Sequence, residues 1–162
     1  MILLCYDGSA DAQAAIDRAG KLFGGQAATV LTVWEPLIDV LARTGAGMGF
    51  GAGVVELDTE RIDAASEEAA RERAGEGTER ARHVGLDAEP RTAARAGTIG
   101  ETILGEAAAI EAEAVVMGTR GLTGLKSLLL GSVSHAVLQQ ADRAVVVIPS
   151  AELASERAAR RD

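Results

Sequence analysis

The residues with the clearest chemical use are Gly118, Gly121, Gly131, Ser132, Val133 and Ser134, which follow the apolar run Ala114-Val115-Val116-Met117. A short apolar run with adjacent valines reads as a buried strand. After Gly131 the periodicity becomes helical, with Val133, Val137 and Leu138 on one face. Strand, glycine-rich loop and helix start, in that order, make an anion site. The first amides of a helix lack intrahelical partners, and the positive end of its dipole lies there. The glycines are free to take positive φ and let a ligand approach the backbone closely. Ser132 and Ser134 add hydroxyl donors. The expected ligand is a phosphate. Arg120 and Lys126, in the loop, either reach an outer phosphate or sit as solvated surface cations. Two commoner phosphate loops are excluded by residue. A Walker A loop needs glycine directly before Lys126-Ser127, where Leu125 stands, and Asp7-Gly8-Ser9 does not supply the G-x-G-x-x-G of a dinucleotide fingerprint.

Asp7 is the second candidate. It follows the apolar stretch Met1 to Tyr6, read as the first strand, so it lies at that strand's carboxyl end. In open parallel sheets this edge holds the ligand crevice. A turn or capping role is the alternative for an aspartate at this position.

The spacing glycine, two residues, glycine, nine residues, glycine-serine, filled by Gly118, Gly121, Gly131 and Ser132, resembles the nucleotide-binding motif of the universal stress protein family. The likeness runs on through the next helix to Ala144–Ile148 and reappears at Ile2–Ser9, covering most of residues 1–149. The resemblance implies an ATP site. Asp7 and Gly118 would hold the ribose, with Met117 beside them, and the backbone of Val33 would face the adenine edge. Gly121, Gly131, Ser132, Val133 and Ser134 would hold the phosphates. Mg²⁺ could bridge those phosphates, although no acidic pair in the loop awaits it. The resemblance also implies a sheet order of 3-2-1-4-5 and a homodimer formed through the Ala144–Ile148 edge strand.

These residues need a scaffold, and the composition limits what it can be. A chain of 162 residues suits one domain with a real core. Apolar residues make up 48% of it and aromatic residues 2%, so that core is aliphatic. The net charge of −8 argues against nucleic-acid binding, and any polyanion must be held locally by amides and a few cations. No apolar run approaches the roughly 18–20 residues of a membrane span, and the start lacks the basic flank of a signal peptide. Cys5 is the single cysteine, which excludes an internal disulfide and fits a cytoplasmic protein. His83 and His135 stand apart, so no metal site is expected.

The pattern predicts five strands alternating with four helices in an α/β fold: an open, doubly wound, five-stranded parallel sheet, Rossmann-like, with helices on both faces. Ser9 should cap a helix over residues 10–23, its apolar face built from Ala14, Ala15, Ala19 and Leu22. The second strand is expected over residues 27–34 and the third, an edge with one wet face, over 88–95. Residues 35–54 read as a flexible crossover whose glycine run, 44–53, either links or acts as a lid or partner-binding loop. A charged helix should span about 54–84, broken or bent at Gly75 and Gly77, and another should open at Gly97-Thr98. Residues 1–149 form the expected domain, and 150–162 a frayed tail.

The expected function is an ATP-binding switch or binding module in a stress response. Since no positioned base, arginine finger or metal ligand for phosphoryl transfer is visible, hydrolysis is at most slow. Two alternatives remain. One is a dimeric scaffold of the same fold without nucleotide. The other is a receiver-like signalling domain, for which Ala96-Gly97 and Pro149-Ser150 stand where an acceptor aspartate and a lysine are needed.

Overall fold

A computed structural model describes residues 1–44, 58–122 and 130–159. Five strands, β1 (Ile2–Cys5), β2 (Ala27–Trp34), β3 (Asp87–Ala94), β4 (Ala114–Gly118) and β5 (Ala144–Ile148), form one sheet. All pairings are parallel and the order is β3-β2-β1-β4-β5. Six helices accompany the strands: α1 (Ala10–Phe23), α2 (Leu37–Thr44), α3 (Thr59–His83), α4 (Ile99–Ala109), α5 (Ser132–Gln140) and α6 (Ala151–Ala159).

Strand alternation divides the core. Ile2, Leu4, Val30, Ala114 and Val116 point to the face covered by α1 and α3, where they meet Ala12, Ala15, Ile16, Ala19 and Ala81. Leu3, Leu31, Val115 and Met117 point to the other face, against Ile103 and Ala107 of α4 and Val137 of α5. Both faces are therefore apolar along β1 and β4, as parallel strands covered on both sides require. The α1 stripe differs from the expected one. Ala12 and Ile16 are buried with Ala15 and Ala19, whereas Leu22 is 55% exposed. Leu138 likewise points outward, away from Val137.

Helix starts follow side-chain caps. Ser9 Oγ accepts from Ala12 N at 3.2 Å. Asp58 Oδ1 accepts from Arg61 N at 3.0 Å. Thr98 and Glu101 form a reciprocal capping box, whose hydrogen bonds hold the Glu101 carboxyl below the usual carboxylate range. Pro90 sits in β3, an edge strand, where its missing N–H is tolerated.

Three expectations need correction. Residues 37–44 of the expected crossover are helical, pinned where Leu37 N donates to Asp63 Oδ1 at 2.7 Å. Residues 45–53 of the glycine run, and 54–57 of the expected charged helix, lie outside the described residues. α3 runs unbroken through Gly75 and Gly77. Gly77 serves packing: a Cβ there would lie 2.8 Å from the Tyr6 ring and 2.9 Å from Val30 Cγ1. Finally, residues 151–159 form a helix, since Leu153 is buried and its amide donates to Ser150 Oγ at 3.4 Å. No helix among the described residues is long and apolar enough to cross a membrane.

Candidate functional site

The sheet order places β1 beside β4, so the chain leaves both strands at one carboxyl edge. A cleft of about 430 Å³ opens there. All nine residues expected to bind nucleotide line it: Asp7, Val33, Met117, Gly118, Gly121, Gly131, Ser132, Val133 and Ser134.

At one end is the start of α5. Gly131 is the N-cap, with φ −70° and ψ 159°, and the helical ladder begins where His135 N donates to Gly131 O at 2.9 Å. The amides of Ser132, Val133 and Ser134 therefore have no helical acceptor. The loop is tied off at its base. Thr119 N donates to Ile148 O, and Thr119 O accepts from both Gly131 N and Ser134 Oγ, each at 2.8 Å. Ser134 is 3% exposed and its hydroxyl donates to Thr119 O, which leaves its amide as the group without an internal partner. The Ser132 hydroxyl is exposed.

The freedom of the loop glycines to take positive φ is not used. Among the described glycines, positive φ occurs at Gly8, Gly25, Gly85 and Gly97, not at Gly118, Gly121 or Gly131. Close approach requires glycine instead. A Cβ on Gly118 would lie 2.7 Å from the Asp11 carbonyl carbon and 2.9 Å from Ala12 N. On Gly121 it would lie 2.6 Å from Asp7 Oδ2, and on Gly131 3.2 Å from Thr119 O.

Asp7 occupies the middle of the cleft. Its Oδ1 accepts from Ser9 N at 3.0 Å and its Oδ2 from Leu122 N at 3.1 Å. Each oxygen keeps a second lone pair for a ligand hydroxyl. A neighbouring aspartate, Asp11, is 5% exposed and also grips the loop: Oδ2 accepts from Arg120 N at 3.1 Å, with Arg120 Nε at 3.8 Å. The Arg120 side chain thus sits beside Asp11 of α1 while also lining the cleft. Lys126 lies outside the described residues.

The other end is apolar, formed by Leu31, Val33, Ile99, Ile103 and Met117. Parallel strands turn their backbone groups alternately to the two neighbours. Tyr6 N donates to Leu31 O, on the β1 side of β2, and Arg95 N donates to Trp34 O, on the β3 side. The N–H and C=O of Val33 therefore face the β1 side, where β1 has already ended at Cys5. An apolar slot with a free backbone donor and acceptor suits a flat heterocycle.

Among the lining residues without a sequence signal for the site are Cys5, Tyr6, Thr32 and Arg73. Thr32 and Tyr6 act on each other, the threonine hydroxyl donating to Tyr6 O at 2.8 Å. Burial, reinforced by the Asp7 charge, pushes the Cys5 thiol up to about 12, which keeps it protonated and unreactive at neutral pH. Arg73 belongs to the middle of α3, where helical spacing alone reads as a solvated face. Among the described residues no group of three or more metal-ligating side chains occurs.

Comparisons with known proteins agree with this geometry. The family described as "Universal stress protein family" matches residues 1–149. A Thermus aquaticus protein, "Universal stress protein in QAH/OAS sulfhydrylase 3'region", is 33% identical over 149 residues, covering 91% of this chain and 96% of its own. Among similar solved structures is an Arabidopsis thaliana universal stress protein family protein with AMP bound, at TM-score 0.60 and 13% identity, covering 91% of this chain and 90% of that one. Another is the Archaeoglobus fulgidus universal stress protein in complex with dAMP, at TM-score 0.57 and 20% identity, covering 91% and 95% respectively. With its sheet order, its converging loops and a match running from residue 1 to residue 149, this chain belongs to the universal stress protein family.

Proposed function

We propose that the cleft binds an adenine nucleotide, ATP in its expected form, and that the protein works as a nucleotide-dependent switch or binding module. One observation carries the reading. A single cleft offers amides without acceptors at Ser132, Val133 and Ser134 and, at its apolar end, the open backbone of Val33, with the Asp7 carboxylate between them. Amides at a helix start suit phosphate, a carboxylate suits ribose hydroxyls, and a backbone donor and acceptor suit a base edge. The AMP and dAMP held by the two similar structures support the same ligand class.

Micromolar affinity requires about 8 kcal/mol. Charge-assisted bonds of about 1.5–3 kcal/mol each, three of them from α5 amides, supply most of that once the slot covers the base. Mg²⁺ would be held chiefly by phosphate and water, because Asp7 and Asp11 already accept backbone amides. The proposed role is occupancy-dependent binding with at most slow hydrolysis. The protein is further proposed to act in the cytoplasm as a homodimer paired through β5.

Mass spectrometry of rapidly desalted protein tests the ligand class. Release of an adenine nucleotide on denaturation is the expected result. A retained ligand of another class, with no adenine nucleotide, contradicts it.

A further inference from the structure

Among the described arginines, Arg18, Arg61 and Arg73 have neither a hydrogen-bond acceptor nor a carboxylate partner. Arg18 and Arg61 are exposed, so water serves them. Arg73 is half-buried and lines the cleft. Glu76, three positions on along α3, is exposed and makes no ion pair with it. Of the other arginines nearby, Arg80 is bonded to Asp17 and Arg95 to Glu35, and Arg120 Nε lies 3.8 Å from Asp11 Oδ2. The Arg73 guanidinium therefore stands at the cleft with no protein acceptor, where an anionic ligand group can take the place of water.

Its position narrows what that ligand group is. Arg73 Cδ and Nε lie 3.7 Å from the point a Cβ on Gly8 would occupy, next to Asp7. α3 covers one face of the sheet with α1, and α5 covers the other with α4. Arg73 and the α5 amides thus reach the cleft from opposite faces. Asp7 marks the ribose under the nucleotide reading, on which this inference rests. The anionic group nearest that ribose is the phosphate esterified to it; further phosphates extend away, toward the loop. We infer that Arg73 is a ligand-contacting residue that binds the ribose-proximal phosphate from the α3 side, opposite the α5 amides. Arg73 then selects for phosphorylated ligands over the bare nucleoside, and it does so at the first phosphate.

Calorimetric titration of wild type, Arg73→Gln and Arg73→Lys with adenosine, AMP, ADP and ATP tests this. The Gln variant should lose about ten- to hundredfold in affinity for AMP, ADP and ATP alike, the effect of removing one charge-assisted contact. Adenosine affinity should stay within about twofold, and the Lys variant should recover part of the loss. Because Arg73 makes no internal bond, the ligand-free melting temperature should not fall. Unchanged AMP affinity in the Gln variant, or an equal loss for adenosine, overturns the inference while leaving the nucleotide site standing. A wild type that binds none of the four overturns the nucleotide reading itself and the inference with it.

Discussion

Asp7 spends both carboxylate oxygens on the chain, yet it stands where a ligand must pass. By accepting from Ser9 it shapes the β1–α1 turn, and by accepting from Leu122 it draws the β4–α5 loop over the strand ends. Gly121 makes that possible, because any side chain there would strike Asp7 Oδ2. Gly118 is constrained differently: the atoms in its way are the backbone of Asp11 and Ala12, which cannot move without shifting α1. The two glycines should therefore respond differently to alanine. Gly121→Ala displaces only the end of a side chain, so it should leave stability nearly unchanged and weaken nucleotide binding about tenfold, through loss of one positioned carboxylate contact. Gly118→Ala overpacks strand against helix and should cost about 1–3 kcal/mol of stability in chemical denaturation. Equal stability losses in the two variants would contradict this division.

At the scale of elements, α3 shows how far periodicity carries and where it stops. Its charges and length were legible, and so was the β4–loop–α5 succession, because buried β-branched runs and helix caps leave local signals. Its two glycines read locally as breaks. The structure shows that one of them, Gly77, marks where the helix presses against Tyr6 and Val30, a contact between elements far apart in sequence. Arg73 was invisible for the same reason, since only the crossover brings α3 beside Gly8. The helices at 37–44 and 151–159 leave little local signal, because short helices without strong caps are decided by single anchors, Asp63 and Leu153. Gly75 and Gly77 provide the test. A Cβ on Gly75 meets nothing within 4 Å. Gly75→Ala should thus gain up to about 1 kcal/mol from helix propensity. Gly77→Ala gains the same propensity but pays about 1–3 kcal/mol in overpacking, so it should melt lower. Each kcal/mol corresponds to about 2–4 °C in Tm for a chain of this size. A stabilised Gly77→Ala would show that α3 has room it is not seen to have.

Across the whole molecule, β5 ends the sheet as an edge of five apolar residues, Ala144–Ile148, most of them only half-buried. An exposed apolar edge invites pairing, and a second copy of the same strand is the proposed cover. Light scattering at tens of micromolar should give twice the chain mass, and a monomer there would contradict the proposed pairing. Within the chain the cleft is assembled by the β1–β4 pairing. Three unpartnered amides at the start of α5 and the open backbone of Val33 carry the account, and they predict one ligand class. The most direct measurement is calorimetric titration of nucleotide-free protein with ATP, ADP and AMP, with and without Mg²⁺. Saturable one-site binding in the micromolar range or tighter is the predicted result, and no heat and no binding for any of the three would contradict it.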